Sequence, residues 1–198
     1  MKVTFISDVH GNLGALGAVL AAVDDGGPVV FCGDAVGYGD DPDGVCSLLS
    51  ERGIASVKGN HDAMVLEELP CHPDRDALYR TSWTRKRLSD SNLNWLSSLP
   101  HELSLMLDGT AFRVRHASPW DLTTYLYPDS PRLKEAMPTN HENLILGHTH
   151  YPFVRSGTTG DLVNCGSVGQ PRGGAPGAQF TVFDTGSQTW VQRTLLYE

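Results

Sequence analysis

Five short apolar stretches in this chain each run straight into a residue able to hold a metal ion. Lys2–Ser7 leads into Asp8-Val9-His10, Val29–Cys32 into Gly33-Asp34, and Ile54–Val57 into Gly59-Asn60-His61-Asp62. Phe112–Arg115 leads into His116, and Leu144–Leu146 into Gly147-His148-Thr149-His150. With Asp62 set aside, they offer two aspartates, one asparagine and five histidines, with no thiolate. Imidazole suits zinc, iron, nickel and copper, whereas oxygen donors suit manganese, magnesium and calcium, so the mixed set favours manganese, iron or zinc. Asp8 and His10 stand two apart, as do His148 and His150. In extended chain that spacing puts both side chains of a pair on one face, so each pair can be aimed into one cavity. A lone Asp-x-His is a common accident of turns. Five ordered endings on five stretches are a pattern.

Such residues need a scaffold that gathers distant strand ends, and the remaining sequence describes one. Asn12 is placed to cap a helix carrying Leu13, Leu16, Leu20 and Val23 at helical spacing, ended by Asp24-Asp25-Gly26-Gly27-Pro28. Asp41 followed by Pro42 is an N-cap with a first-turn proline; Val45, Leu48 and Leu49 form the stripe and Gly53 the stop. This βαβα order predicts parallel strands, whose ends share one edge of a sheet where ligands bind. From Asp74 to Ser98 the pattern predicts two helices carrying Leu78, Trp83, Leu88, Leu93, Trp95 and Leu96. Glu102–Leu107 and Phe112–Arg115 read as a hairpin turned by Asp108-Gly109. A short helix near Pro131–Met137 follows. Tyr151–Arg155, Asp161–Asn164, Ala178–Phe183 and Trp190–Leu195 read as short antiparallel strands. The predicted fold class is α/β, two packed mixed sheets flanked by helices, in one domain spanning residues 1–198.

Composition narrows the function classes. With 15 basic and 23 acidic residues the formal charge is −8, a poor balance for holding nucleic-acid backbones. Bound divalent cations reverse the sign locally, so anionic substrates remain open. Cys32, Cys46, Cys71 and Cys165 form no C-x-x-C pair, which argues against a zinc ribbon or disulfide framework and for reduced thiols. The stretch before Asp8 falls short of the roughly 7–15 apolar residues of a signal-peptide core, and no run nears the ~18 of a membrane helix. The expectation is a cytoplasmic protein without membrane or stable nucleic-acid partners, its homo-oligomerisation an open question.

The ordered blocks Asp8-Val9-His10, Gly33-Asp34, Gly59-Asn60-His61-Asp62, His116 and Gly147-His148-Thr149-His150 resemble those of the calcineurin-like metallophosphoesterase superfamily. The segments Gly33–Gly39 and Asn164–Arg172 resemble its small single-domain bacterial and archaeal branch. The resemblance implies a four-layer α-β-β-α sandwich and two divalent metal ions, manganese first, with iron, zinc, nickel or magnesium as alternatives. It implies Asp8, His10 and His150 as ligands of one ion, Asn60, His116 and His148 of the other, and Asp34 bridging both. It implies hydrolysis of a small phosphomonoester or phosphodiester, nucleotides among them, by in-line attack of a metal-bridging hydroxide. His61 then contacts phosphate together with Asn60 and protonates the leaving oxygen; ligation of a metal by His61 is the competing reading. Two departures matter. Gly37 and Tyr38 stand where the family's protein phosphatases carry an Asp and an Arg that orient the histidine and hold phosphate. Ala117 and Cys165 replace a common Gly and Pro.

Weaker candidates have simpler explanations. Arg172 is expected to be a surface arginine before a substrate contact. The basic run Arg80, Arg85, Lys86 and Arg87 reads as a solvated helix face, and Trp83 and Trp95 as core. His72, His101 and His141 read as loop histidines. The helices of Asp74–Ser98 are expected to roof the site. A protein-binding scaffold on the same fold, as in the retromer subunit resembling this superfamily, is the alternative function. Against it, every ligand position is filled. A serine hydrolase is disfavoured because Gly166-Ser167-Val168-Gly169 does not match G-x-S-x-G.

Overall fold

The structure, a computed structural model, describes residues 1–23 and 26–197. In chain order it runs β1 (Lys2–Ile6), α1 (Leu13–Ala22), β2 (Val29–Phe31), α2 (Pro42–Glu51), β3 (Ala55–Ser56) and α3 (Asn60–Val65). Then come α4 (Pro73–Tyr79), α5 (Thr81–Arg85), α6 (Asp90–Ser98), β4 (Glu102–Leu107), β5 (Thr110–Arg115) and α7 (Leu133–Ala136). The chain finishes with β6 (Asn143–Leu146), β7 (Phe153–Arg155), β8 (Leu162–Asn164), β9 (Ala178–Asp184) and β10 (Thr189–Leu195). Two five-stranded mixed sheets result, ordered β10-β9-β1-β2-β3 and β4-β5-β6-β8-β7. Each has three parallel neighbours, β1-β2-β3 in one and β5-β6-β8 in the other. Their six carboxyl ends make the edge where the site lies.

Apolar faces set the layers. Val3, Phe5, Val30, Phe112, Val114, Ile145, Val163 and Phe183 fill the space between the sheets. The rings of Phe5, Phe112, Phe183 and Trp190 meet there at centroid distances of 4.4–6.2 Å. The first sheet's outer face is covered by α1, α2 and α6 through Leu16, Val19, Val45, Leu49 and Leu96. The second sheet's outer layer is thin, with α7 and the loop residue Leu126 packed on Leu144, Leu146 and Leu162. The four-layer architecture follows. No helix among the described residues is long and apolar enough to cross a membrane. All four cysteines are free thiols.

Local signals operate as the sequence suggested at several points. The side chain of Asn12 accepts from Ala15 N–H and that of Asp41 from Gly44 N–H, each satisfying an orphan donor at a helix start. The stop predicted at Asp24-Asp25 lies outside the described residues. Asp108 (φ 48°) and Gly109 (φ 80°) form the left-handed pair that turns β4 into β5.

Other expectations need correcting. The stretch predicted as two helices is three, because Arg80 adopts a left-handed conformation (φ 58°) that ends α4 and starts α5. Its guanidinium donates to Tyr38 O (3.0 Å) and Asp40 Oδ1 (2.6 Å). Arg85 donates to Val65 O (2.7 Å). These two members of the basic run are therefore fasteners rather than a solvated face. Trp83 is not core; it lies half-buried between the guanidinium groups of Arg80 and Arg87, 3.7 and 4.2 Å from its centroid. Leu78 is exposed. The late strands are not uniformly antiparallel, since β8 joins β6 in parallel. Asn60 and His61 do not continue a strand end but open the helix α3 behind Gly59.

Packing of α6 on α2 has a pH signature. Asp43 Oδ1 accepts from Ser89 N–H (2.7 Å), Ser89 O–H (2.9 Å) and Asn92 Nδ2 (2.7 Å). Slight burial works against its ionisation, but these donors hold the carboxyl below its usual range. A depressed carboxyl contributes stability that is present above the unfolded-state pKa of about 3.9 and lost as pH falls. The difference in melting temperature between wild type and Asp43→Asn should therefore narrow as pH drops from about 5 to 3. A constant gap across that range would show that Asp43 does not fasten the helices through its charge.

Candidate metal centre

The donors stand beyond the strand ends, on turns and, for Asn60, on the first residue of α3. β1 ends at Ile6, and Asp8 and His10 follow with φ of 54° and 51°. Asp34 (62°), His148 (67°) and His150 (61°) share the left-handed region. Asp and His tolerate that region better than most residues, yet each such position costs about 1–3 kcal/mol and needs surroundings that enforce it. Backbone bonds do so: Asp8 N–H to Gly33 O (2.9 Å), His10 N–H to Asp34 O (3.1 Å), Gly147 N–H to His116 O (2.8 Å) and Val168 N–H to Ser7 O (2.9 Å). Neither two-apart pair therefore lies in the extended chain that its spacing predicts. Asp8 and His10 do reach one cluster, but His148 and His150 diverge into different ones.

Two groups result: Asp8 with His10 and His150, and Asp34 with His116 and His148. Within each, the ligand atoms lie within 4.8 Å of one another, and all six residues are buried. Asp34 stands between the groups, its Oδ2 3.3 Å from His116 Nε2 and 3.7 Å from His10 Nε2. Asn60 joins the second group, with Oδ1 3.0 Å from His116 Nε2. A side chain at Gly59 would put its Cβ 2.1 Å from Asp34 Oδ1, so glycine is required beside this carboxylate.

The second ring nitrogens explain the orientation of the first. His10 Nδ1 bonds Val36 O (2.9 Å), His116 Nδ1 bonds Cys32 O (2.8 Å), and His150 Nδ1 bonds Gln170 O (2.6 Å). A carbonyl only accepts, so each Nδ1 carries the proton and each Nε2 turns a lone pair inward. His148 is reversed, with Nε2 on Thr123 O (3.3 Å), which leaves Nδ1 for the centre. The Nε2 atoms of His10 and His150 then face each other at 3.1 Å, with Asp8 Oδ1 3.1 Å from the latter and without a hydrogen-bond donor. Acceptors converging without a donor are the arrangement that a cation completes, so the residues present fit divalent metals. Protonation states report the same concentration of charge. Burial alone would depress His116, but the Asp34 carboxylate beside it pushes it up to about 10, so a divalent cation bound there would take the place of a proton on its Nε2. Burial together with His116 lowers His148 to about 4.

His61 is near both groups and in neither. Its backbone N–H donates to Asp34 Oδ1 (2.8 Å), while its buried Nδ1 has no partner. The ring lies among aromatic neighbours, with centroids 4.9 Å from His10, 4.9 Å from Tyr38 and 4.6 Å from Tyr79. Burial lowers its pKa to about 3, well away from the near-neutral value of a free imidazole. A Cβ at Gly37 would sit 2.7 Å from His61 Nδ1, so no orienting carboxylate fits there; aromatic packing holds the ring instead. Tyr79 ends α4, so the predicted roof does touch the site.

Residues 1–188 match the model of the calcineurin-like phosphoesterase superfamily domain. The chain belongs to that superfamily. Uncharacterized protein MJ0912 of Methanocaldococcus jannaschii is 35% identical over 204 residues, which covers 92% of this chain and 82% of that one. A metallophosphoesterase from Sphaerobacter thermophilus is 30% identical with a TM-score of 0.81, covering all of this chain and 89% of its own. Hypothetical protein PH1004 of Pyrococcus horikoshii OT3, 19% identical, shares the fold at a TM-score of 0.82, covering 100% of this chain and 88% of its own. As a calcineurin-like phosphoesterase this chain is a phosphate-ester hydrolase, and the superfamily uses divalent metals.

Several residues at the site carried no predicted role. Asp62 accepts from three backbone N–H groups around Asp34 and Gly59. Its place three residues after Gly59 is a capping-box signal that could have revealed it. Ser167 is fully buried and donates to Asp8 O (2.8 Å), a structural role that disposes of a serine nucleophile. Tyr38, Tyr79 and Tyr125 rim the mouth without any periodic signature. Arg172 is exposed there, and its charge acts on Tyr38 and Tyr125 against the upward push of burial, which takes Tyr38 to about 12.

Proposed function

We propose that the chain is a dinuclear metal-dependent phosphoesterase acting on a small phosphomonoester or phosphodiester in a cytoplasmic setting. What carries the reading is Asp34, a fully buried carboxylate shared between two histidine groups, with the His61 ring beside it a member of neither. Asp8, His10 and His150 would hold one ion and Asn60, His116 and His148 the other, with Asp34 between them and manganese the first choice. Two such ions would lower the pKa of water from ~15.7 toward ~7 and neutralise charge on the phosphoryl group. The chain's own share is positioning. Displacement at phosphorus is in line, so fixed geometry and charge do most of the work. Asn60 and His61 face the phosphoryl oxygens, and His61 delivers the proton to the leaving oxygen.

The test is a panel of phosphomonoesters and phosphodiesters offered to the manganese-loaded protein. Turnover is expected to vanish with chelator and return with metal. Asp34→Asn should lower kcat/KM about 100-fold or more, because it removes charge at the centre of the site, and should reduce bound manganese by elemental analysis. Equal turnover in Asp34→Asn would sink the proposal.

A further inference from the structure

A row of tyrosines leaves the site from one of its histidines. Tyr125 lies on His148 with centroids 3.9 Å apart. Tyr127 runs parallel to Tyr125 at 5.7 Å and 8°, and Tyr151 meets Tyr127 edge-on at 5.6 Å. Local chain geometry fixes the row. Tyr125 and Tyr127 flank Leu126, which is buried against the outer face of the second sheet, and their parallel rings lie on the same side of the chain. Tyr151 directly follows His150, and the backbone of Gly173, next to Arg172, packs on its ring; a Cβ there would come within 2.5 Å. These anchors leave large aromatic surface open. Tyr125 is 46% exposed and Tyr151 37%.

Hydroxylated rings beginning on a candidate ligand and leading outward next to a guanidinium suit one kind of group. A planar heterocycle joined through a sugar to the phosphate would stack on the rings while Arg172 faces the phosphate charge. A plain alkyl ester would leave the row unused. A long nucleic-acid strand is a poor fit, since a chain of charge −8 repels the flanking phosphates. We propose that Tyr125 and Tyr127 form a nucleobase platform beside the paired histidine groups, which makes a mononucleotide or short dinucleotide ester the substrate class. This rests on the phosphoesterase reading above and adds the group on the far side of phosphorus.

The discriminating measurement is the ratio of affinities for adenosine 5′-monophosphate and ribose 5-phosphate, which differ only by the base. Titration calorimetry on manganese-loaded His61→Ala protein keeps both esters from being consumed. The nucleotide is expected to bind about tenfold tighter or better, the usual size of one base–aromatic stack. Tyr125→Leu should bring the ratio near one and Tyr125→Phe should keep it, because the ring and not the hydroxyl does the stacking. If Tyr125→Leu does not fold, Tyr127→Leu is expected to reduce the ratio in its place. A purely structural tyrosine would weaken both ligands together and leave the ratio intact, which overturns the platform, as would a ratio of one in the unsubstituted platform. Manganese-dependent turnover with no base preference removes this inference alone. A base preference without turnover of any ester in the wild type removes the hydrolase proposal and leaves the platform standing.

Discussion

His61→Ala is expected to keep the wild-type content of bound divalent metal while kcat falls about 10²–10⁴-fold, the usual contribution of a positioned proton donor. The expectation comes from what the ring touches. Its backbone N–H is engaged with Asp34, its Nδ1 has no partner, and its faces rest on His10, Tyr38 and Tyr79. The histidines proposed as ligands have a carbonyl behind one nitrogen and a carboxylate, an imidazole or an amide before the other. His61 lacks that bracing, which is the feature that fixes a ligand's tautomer. With its pKa lowered to about 3 by burial, the ring is uncharged at neutral pH, and the negative charge of a phosphate brought beside it raises that value. Proton delivery is thereby coupled to substrate binding. Imidazole added to the His61→Ala protein should restore part of the rate by entering the space between Tyr38 and Tyr79. Loss of one metal equivalent on elemental analysis would reassign His61 as a ligand.

What the sequence disclosed about this site was its inventory and its edge, and the reason is physical. A short apolar run followed at once by Gly-Asp or Gly-Asn-His is a strand delivering its last residue to a crevice, and that pattern survives any uncertainty about pairing. Hence Asp8, His10, Asp34, Asn60, His116, His148 and His150 could be named together and are found together. The directions in which they point were not legible, because five of them or their neighbours leave the extended region. Left-handed turns at His148 and His150 send adjacent motif residues to different groups, which a period-two argument cannot express. The same limit hid α3: Asn60 and His61 look like a strand tail until Gly59 is seen as an N-cap. Arg80 broke a predicted helix by adopting φ 58°, a choice made by its bonds to Tyr38 and Asp40 across the fold. The aromatic rim is a product of tertiary contact alone; Tyr38, Tyr79 and Tyr125 come from three loops or helix ends with no shared period.

Asp62→Ala is the substitution expected to cost the most stability, even though Asp62 belongs to neither histidine group. The side chain is fully buried at the joint between the loop after β2 and the start of α3. Its Oδ2 accepts from Asp34 N–H (2.9 Å) and Gly59 N–H (2.9 Å), and its Oδ1 from Val36 N–H (3.2 Å). Burial, with the Asp34 carboxylate close by, raises its pKa to about 6, so the position is costly electrostatically and is kept for those three donors. Truncation strands three buried N–H groups at about 1–3 kcal/mol each, so a loss of ~3 kcal/mol or more is the expected minimum. For a chain of this size that corresponds to a fall in melting temperature of roughly 6–12 °C. The measurement belongs in chelator, because metal bound by the native state would add its own stabilisation and mask the difference. Asp62→Asn retains one acceptor oxygen but turns an amide donor toward a backbone N–H, which places it between wild type and alanine. If the alanine protein melted with wild type in chelator and lost only turnover, Asp62 would act on the chemistry directly, and the joint between the Asp34 loop and the Asn60–His61 helix would owe its rigidity to other contacts.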